Sequence, residues 1–397
     1  MASSPGQTAG EEAMASRWSL RCGACAREIP SRALATVCPA CTKPLLVRYP
    51  PPGKSGKALA ERWAERRAAG EGMWRFRELL PLDEGETPVT LGEGNTPLLP
   101  AARLGARLGL DLLVKDEGRN PTGSFKDRGL SAAVTRAVRD GAPSLTVPSA
   151  GNAGAALSAY AARAGVPARL FLPMDTPAGV EGRCRRFGAE IVPVEGLIDE
   201  CGRLAAEHST ATGAFNVSTL REPYRIEGKK TMMLEIVEAL GGRAPDAIVY
   251  PTGGGTGLIA SWKVLEELQD LGIGSPRTRL YAVQSDGCAP IVRAWEERTP
   301  DAPRWPEART RAWGLRVPAA LGDFLILRAI RASGGGAVAV SDAEMEEAAR
   351  ELGRDEGIGA SIEGGATLAA ARRLRRGGAL REGETVVLFN TANALTY

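Results

Sequence analysis

"AIVYPTGGGTGLIASWKVLEELQDLG" (residues 247–272) decides the fold class. An apolar run, "AIVY", has the length and texture of a strand buried on both faces, and "GLIASWKVLEELQDLG" repeats its apolar residues at helical spacing. Between them Gly253, Gly254, Gly255 and Gly257 crowd the turn, where glycine permits close backbone approach and a helix start offers free amides to an anion. The same texture recurs in "DLLVKDE" (111–117), "SLTVPSAG" (144–151), "ARLFLP" (168–173), "EIVPVEG" (190–196), "RLYAVQSD" (279–286) and "TVVLFNTA" (385–392). Helical patterns such as "GAALSAYAARAG" (154–165) separate them. Strands alternating with helices predict an α/β protein with mostly parallel sheets covered on both faces.

Three glycine-rich strand-to-helix turns are candidate ligand sites, because α/β sheets bind ligands at the carboxyl ends of their strands. "YPTGGGTGLIAS" (250–261) is a phosphate cradle or an unliganded tight turn. It lacks the lysine of a P-loop and does not fit GxGxxG. "VPSAGNAGAA" (147–156) offers Ser149 and Asn152 as its only polar side chains; Asn152 is either a helix cap or a donor to a ligand oxygen. "NPTGSFKDRG" (120–129) sets Lys126 at a helix start. A desolvated lysine there is a Schiff-base nucleophile for an aldehyde cofactor, and an ordinary surface lysine is the alternative.

The composition narrows the chemistry. One histidine, His208, in 397 residues excludes a histidine-based hydrolase triad or a multi-histidine metal centre. A net charge of +3 with interspersed signs gives no field to recruit nucleic acid or a membrane surface, and no apolar run is long enough to span a bilayer. Residues 1–17 carry neither a signal peptide nor a presequence and are expected to form a disordered tail on a cytoplasmic protein. Cys22, Cys25, Cys38 and Cys41 form two CxxC knuckles, a spacing that brings four thiolates onto one Zn²⁺ with no open coordination position, hence a structural site. A pair of disulfides or vestigial thiols is the alternative. Cys184, Cys201 and Cys288 are expected as isolated thiols in helical segments.

In order along the chain, "GEGNTPL" (92–98), "NPTGSFKDRG", "SAGNAG" (149–154), "EPYRIEGKKT" (222–231), "PTGGGTG" (251–257) and "VVLFNT" (386–391) resemble the threonine synthase family. Those enzymes depend on pyridoxal 5'-phosphate (PLP) and share the tryptophan-synthase β-subunit fold, fold type II. The resemblance spans residues 85–397, and zinc-ribbon-like N-terminal extensions occur in some members. It implies two three-layer α/β/α domains: a large PLP-binding domain (49–125 and 220–397) and a small domain (126–219), with a zinc-ribbon-like module at 18–48. It also implies a homodimer. Lys126 would hold PLP and shuttle protons, Asn152 would bond the pyridine 3' oxygen, and Gly253, Gly254, Gly255, Thr256 and Gly257 would bind the cofactor phosphate. Thr391 would meet the pyridine nitrogen, while Ser149 and Arg225 would bind substrate, Arg225 through its phosphate; an ion pair of Arg225 with Glu222 or Glu227 at the surface is the alternative. The implied reaction converts O-phospho-L-homoserine and water to L-threonine and phosphate.

Two departures bear on the substrate. Ala153 stands where several relatives carry a hydroxyl near the substrate phosphate, and the chain ends "NTANALTY" where many relatives have glycine and lysine. Three rivals share much of the outline: a phosphoserine-using, cysteate-forming enzyme, a serine/threonine dehydratase, and a non-catalytic protein of the same fold. Asp127 and Ala153 speak against the dehydratase.

Overall fold

The computed structural model describes residues 17–31, 34–50, 55–149, 151–176, 178–196, 198–273 and 277–394. Of the expected N-terminal tail only Arg17 falls within them, and Leu395–Tyr397 of the unusual C-terminus also lie outside the described residues.

The strands are β1 (Ser19–Cys22), β2 (Glu28–Ile29), β3 (Leu45–Arg48), β4 (Leu98–Pro100), β5 (Asp111–Asp116), β6 (Leu145–Pro148), β7 (Ala168–Pro173), β8 (Glu190–Val194), β9 (Phe215–Asn216), β10 (Ala247–Pro251), β11 (Arg279–Ser285), β12 (Gly336–Val340) and β13 (Thr385–Asn390). They build a large sheet in the order β12-β11-β10-β13-β5-β4 and a small one in the order β8-β7-β6-β9. Every pairing in both sheets is parallel except β4 with β5 at the edge. Mostly parallel α/β layers were the expectation, and the seven apolar runs all became strands.

Period-two geometry explains why these runs are apolar throughout. In β10, Ala247 and Val249 point into one core with Val386, Leu388 and the helix Ile362–Arg376. Ile248 and Tyr250 point into the opposite core with Val387, Phe389 and the helices Tyr224–Ala239 and Thr256–Asp270. Both faces of the strand are therefore covered. The small sheet repeats the scheme, with Val147, Leu170 and Leu172 against the helices Lys126–Arg139 and Asn152–Ala164 on one side. Phe171 and Val194 pack against the helix Ile198–Thr212 on the other.

At the N-terminus β1 pairs antiparallel with β2 and β3. The ligand atoms of Cys22, Cys25, Cys38 and Cys41 lie within 4.8 Å of one another. All seven cysteines are free, which corrects the disulfide alternative. Leu20, Cys38 and Val47 join the small-sheet core beside Val147 and Tyr160, so the module is built into the body rather than appended to it. Cys184 and Cys201 are buried in helices as expected, whereas Cys288 sits in a turn after β11.

Candidate active site

The carboxyl ends of β6, β10 and β13 and the start of the Lys126 helix converge on one cavity of about 1140 Å³. Lys126, Ser149, Asn152, Gly253, Gly254, Gly255, Thr256, Gly257 and Thr391 all line it. Residues spread from 126 to 391 in sequence thus meet around one cavity, because each parallel sheet delivers the carboxyl ends of its strands to it.

The letters around Lys126 hold it there. Asp127 accepts from the Thr122 amide at 2.6 Å and from the Thr122 hydroxyl, tying the turn to the helix start. Burial pushes its carboxyl up to about 7 despite those bonds. Arg128 is buried and bonds Glu117 at 2.7 Å and Glu235 at 2.7 Å, and Lys115 joins Glu235 at 2.7 Å. Thr96, from the "GEGNTPL" segment, donates to Glu117 at 2.6 Å. Gly129 lets the helix approach Tyr224–Ala239, since a Cβ there would stand 3.0 Å from the Arg225 carbonyl. The amide of Phe125 donates to the Thr391 carbonyl at 3.0 Å, fixing the lysine turn against the end of β13.

Lys126 itself is half-buried, with its ammonium 4.4 Å from the centroid of the Phe125 ring and no carboxylate in an ion pair with it among the described residues. Burial first, and the Arg225 charge second, lower its pKa to about 7, with Glu363 opposing. A desolvated amine held near neutrality is a competent nucleophile and base.

The glycine loop is shaped from behind. A Cβ on Gly253 would stand 2.2 Å from the Gly314 carbonyl, one on Gly254 2.9 Å from Thr219, and one on Gly257 1.9 Å from the Tyr250 hydroxyl. Gly255 has φ +71° and its Cβ would meet Ile326 at 2.1 Å. The cradle therefore needs glycine for close packing at its back as well as for conformation. Thr256 opens the helix that follows, so free amides face the cavity.

Asn152 begins the Asn152–Ala164 helix and Gly151 occupies the cap position, so the capping alternative is set aside. Its side chain accepts from Arg183 at 3.2 Å. The Ser149 hydroxyl takes the cap's work, accepting from the amides of Gly154 at 2.9 Å and Gly151 at 3.2 Å. Thr391 is buried at the wall.

Arg225 lies outside the lining. It is 1% exposed, donates from Nη1 to the Val217 carbonyl at 2.7 Å, and leaves Nε and Nη2 without hydrogen-bond partners. It makes no ion pair with Glu222 or Glu227, and it is not at the surface; the Glu222 carboxylate instead accepts the backbone amides of Tyr224 at 2.7 Å and Arg225 at 3.1 Å. Burial raises Glu222 to about 7.

Three features escaped the sequence reading. Glu363 lines the cavity and accepts from the Gly314 amide at 2.8 Å, its second oxygen buried without a partner. Arg203, Arg221, Arg304, Arg309 and Arg316 also line the cavity, with Arg203 paired to Glu200 and Glu207, Arg304 to Asp199 at 3.0 Å and Arg309 to Glu307 at 3.5 Å. Lys229 lies buried behind the cradle and donates to Thr256 Oγ1 at 2.5 Å. The "GKKT" doublet was the available signal for Lys229. Nothing in the local sequence marks the arginines as neighbours.

Residues 89–392 match the family described as pyridoxal-phosphate dependent enzyme. The chain is 35% identical over 325 residues to a threonine synthase of Methanosarcina acetivorans, covering 81% of this chain and 80% of that protein. It is 36% identical over 331 residues to a threonine synthase of Halalkalibacterium halodurans, covering 81% and 90% respectively. Among solved structures, maize serine racemase superposes with a TM-score of 0.67 at 22% identity over 75% of this chain and 88% of that one. A bacterial threonine deaminase, from T.th., superposes with a TM-score of 0.64 at 28% identity over 75% and 92%.

Proposed function

The chain belongs to the pyridoxal-phosphate dependent enzyme family, and from that premise we propose that it is a threonine synthase, converting O-phospho-L-homoserine and water to L-threonine and phosphate. The observation that carries the reading is the convergence of Lys126, Asn152, the 253–257 cradle and Thr391 around one cavity. The cavity fits the cofactor: a lysine of lowered pKa for its aldehyde, a loop whose back tolerates only glycine for its phosphate, and a neutral hydroxyl for its ring nitrogen.

When bound, the cofactor supplies the electron sink that eases removal of the substrate's α-proton. Lys126 Nζ is the one nearby amine on the lining able to hold and return protons, and a long flexible side chain suits a reaction that moves protons at more than one carbon. Thr391, being a hydroxyl rather than a carboxylate, would meet the ring nitrogen without a full counter-charge and so would moderate the sink. Phe125 and Tyr250 line the cavity beside the cradle and supply apolar surface there. The arginines of the lining suit a phosphorylated substrate, and exposed Arg221 is better placed to meet its phosphate than buried Arg225.

The four thiols suit a structural zinc, closed by four cysteines and braced by the small-sheet core. Metal analysis of the purified protein should find one zinc per chain. The reading includes a cytoplasmic homodimer that acts on a small molecule and engages neither nucleic acid nor membrane. Among the described residues no helix is long and apolar enough to cross a membrane.

Phosphate release and amino-acid analysis with O-phospho-L-homoserine, O-phosphoserine plus sulfite, and threonine in parallel test the function. Threonine and phosphate in equal amounts from the first substrate are expected. Turnover confined to phosphoserine would favour the cysteate-forming rival, turnover confined to threonine the dehydratase, and no turnover the non-catalytic reading.

A further inference from the structure

Lys229 sits on the Tyr224–Ala239 helix, where Gly228 and Gly129 let that helix and the Lys126 helix approach closely; a Cβ at Gly228 would stand 1.9 Å from the Arg128 carbonyl. The lysine is 1% exposed. Its ammonium lies 4.9 Å from the centroid of the Phe125 ring and its one hydrogen bond goes to Thr256 Oγ1. Arg225, one helical turn earlier, keeps Nε and Nη2 buried and unpartnered, and neither side chain forms an ion pair among the described residues. Buried cations that feel only the field of Glu222, with no direct ion pair, are costly, and Lys229 stands directly behind the glycine cradle.

A hydroxyl carries one hydrogen and two lone pairs. With Lys229 donating into the Thr256 oxygen, the threonine's own hydrogen is left to point elsewhere, and Thr256 is on the cavity wall at the start of a 15-residue helix. We propose that Lys229 is a positioning residue that makes the cradle selective for a phosphate dianion, aiming the Thr256 hydroxyl at it and supplying charge from behind. The inference rests on the cofactor reading above and adds a residue to it. Burial, Arg225 and Lys126 hold Lys229 well below the ordinary lysine range; a dianion in the cradle works against all three.

Two phosphates could claim this charge, the cofactor's and the substrate's, and the experiment separates them. Apoprotein is titrated with PLP and with pyridoxal, which lacks the phosphate, and the cofactor-loaded protein is titrated with inorganic phosphate. Lys229→Met keeps the side chain's length and removes its charge, so its melting temperature should stay near that of the parent. Lys229→Met should weaken PLP by about tenfold to a hundredfold, equivalent to about 1.4–2.8 kcal/mol, and leave pyridoxal unchanged. Thr256→Val should also weaken PLP and spare pyridoxal, and the double variant should lose less than the sum of the two single losses, because part of the lysine's effect passes through the hydroxyl. An unchanged PLP-to-pyridoxal preference in both single variants would overturn the inference. So would equal weakening of both ligands, which marks a packing defect, or weakening confined to inorganic phosphate, which assigns the charge to the substrate. A parent protein with no preference for PLP over pyridoxal would instead sink the cofactor reading itself.

Discussion

Lys229 and Lys230 are adjacent in sequence and sit in opposite electrostatic surroundings. Lys230 meets Glu227 and Glu267 at 2.8 Å, Lys263 shares the same two carboxylates, and the Tyr49 hydroxyl closes the group on Glu227 at 2.9 Å. Two cations face two anions, all buried or nearly so. On the other face of the helix, Lys229, Arg225 and Lys126 share one region with no ion pair to any of them among the described residues. A network whose job is to hold helices together is closed by its own chain. A network whose job is to receive an anion leaves its positive charge unmatched until the ligand arrives, at a cost in stability that a balanced cluster does not carry.

The comparison can be broken in order of expected effect. Lys126→Ala should lower turnover by about a thousandfold or more, since it removes both the cofactor's covalent anchor and the proton carrier; steady-state kinetics at saturating cofactor measures it. Glu227→Ala leaves the buried Lys230 and Lys263 sharing the single carboxylate of Glu267 and should cost about 3–5 kcal/mol in denaturant unfolding, while Lys229→Met should cost little or stabilise the apoprotein. Equal losses in the two variants would erase the distinction between a closed and an open cluster. Gly255→Ala, at φ +71°, should lose about 1–2 kcal/mol of stability and weaken cofactor binding with it, by the same denaturation curves and a cofactor titration.

The open cluster also contributes a pH dependence through Lys126. The folded-state pKa of Lys126 is lowered from 10.5 to about 7, so above about 7 the unfolded chain binds more protons than the folded one. Apoprotein stability should therefore rise as pH climbs from about 7 toward 10.5, and the rise should shrink in Lys126→Met. Thermal melts of the two proteins across that window check both slope and sign.

Much of this was legible in the letters. Apolar runs of strand length gave both sheets, and the glycine turns gave the cradle, because each is a local pattern with a local cause. β12, "GAVAV", escaped notice because its three central residues are only partly buried, and β4 because three residues ending in proline make a weak signal. The two CxxC pairs foretold the thiol cluster, since short spacing constrains geometry. Arg225 was expected to hold the substrate phosphate because it stands in the right motif, yet sequence position does not report depth, and the side chain lies beneath the wall. Lys229 and Lys230 could not be told apart, since successive helical residues point about 100° apart and only the packed neighbours decide which face meets carboxylates. The arginine lining draws on helix and loop segments separated by more than a hundred residues, a contact pattern that only the folded chain displays.

Lys126 lines the cavity and Lys229 lies buried behind the cradle, and the two have different tasks. Borohydride trapping of the PLP-loaded protein, followed by peptide mapping, separates those tasks directly. The label should appear on Lys126 alone, in the peptide that carries "TGSFK", with Lys229 unmodified. Label on Lys229, or stable cofactor binding with no label on Lys126, would contradict the account.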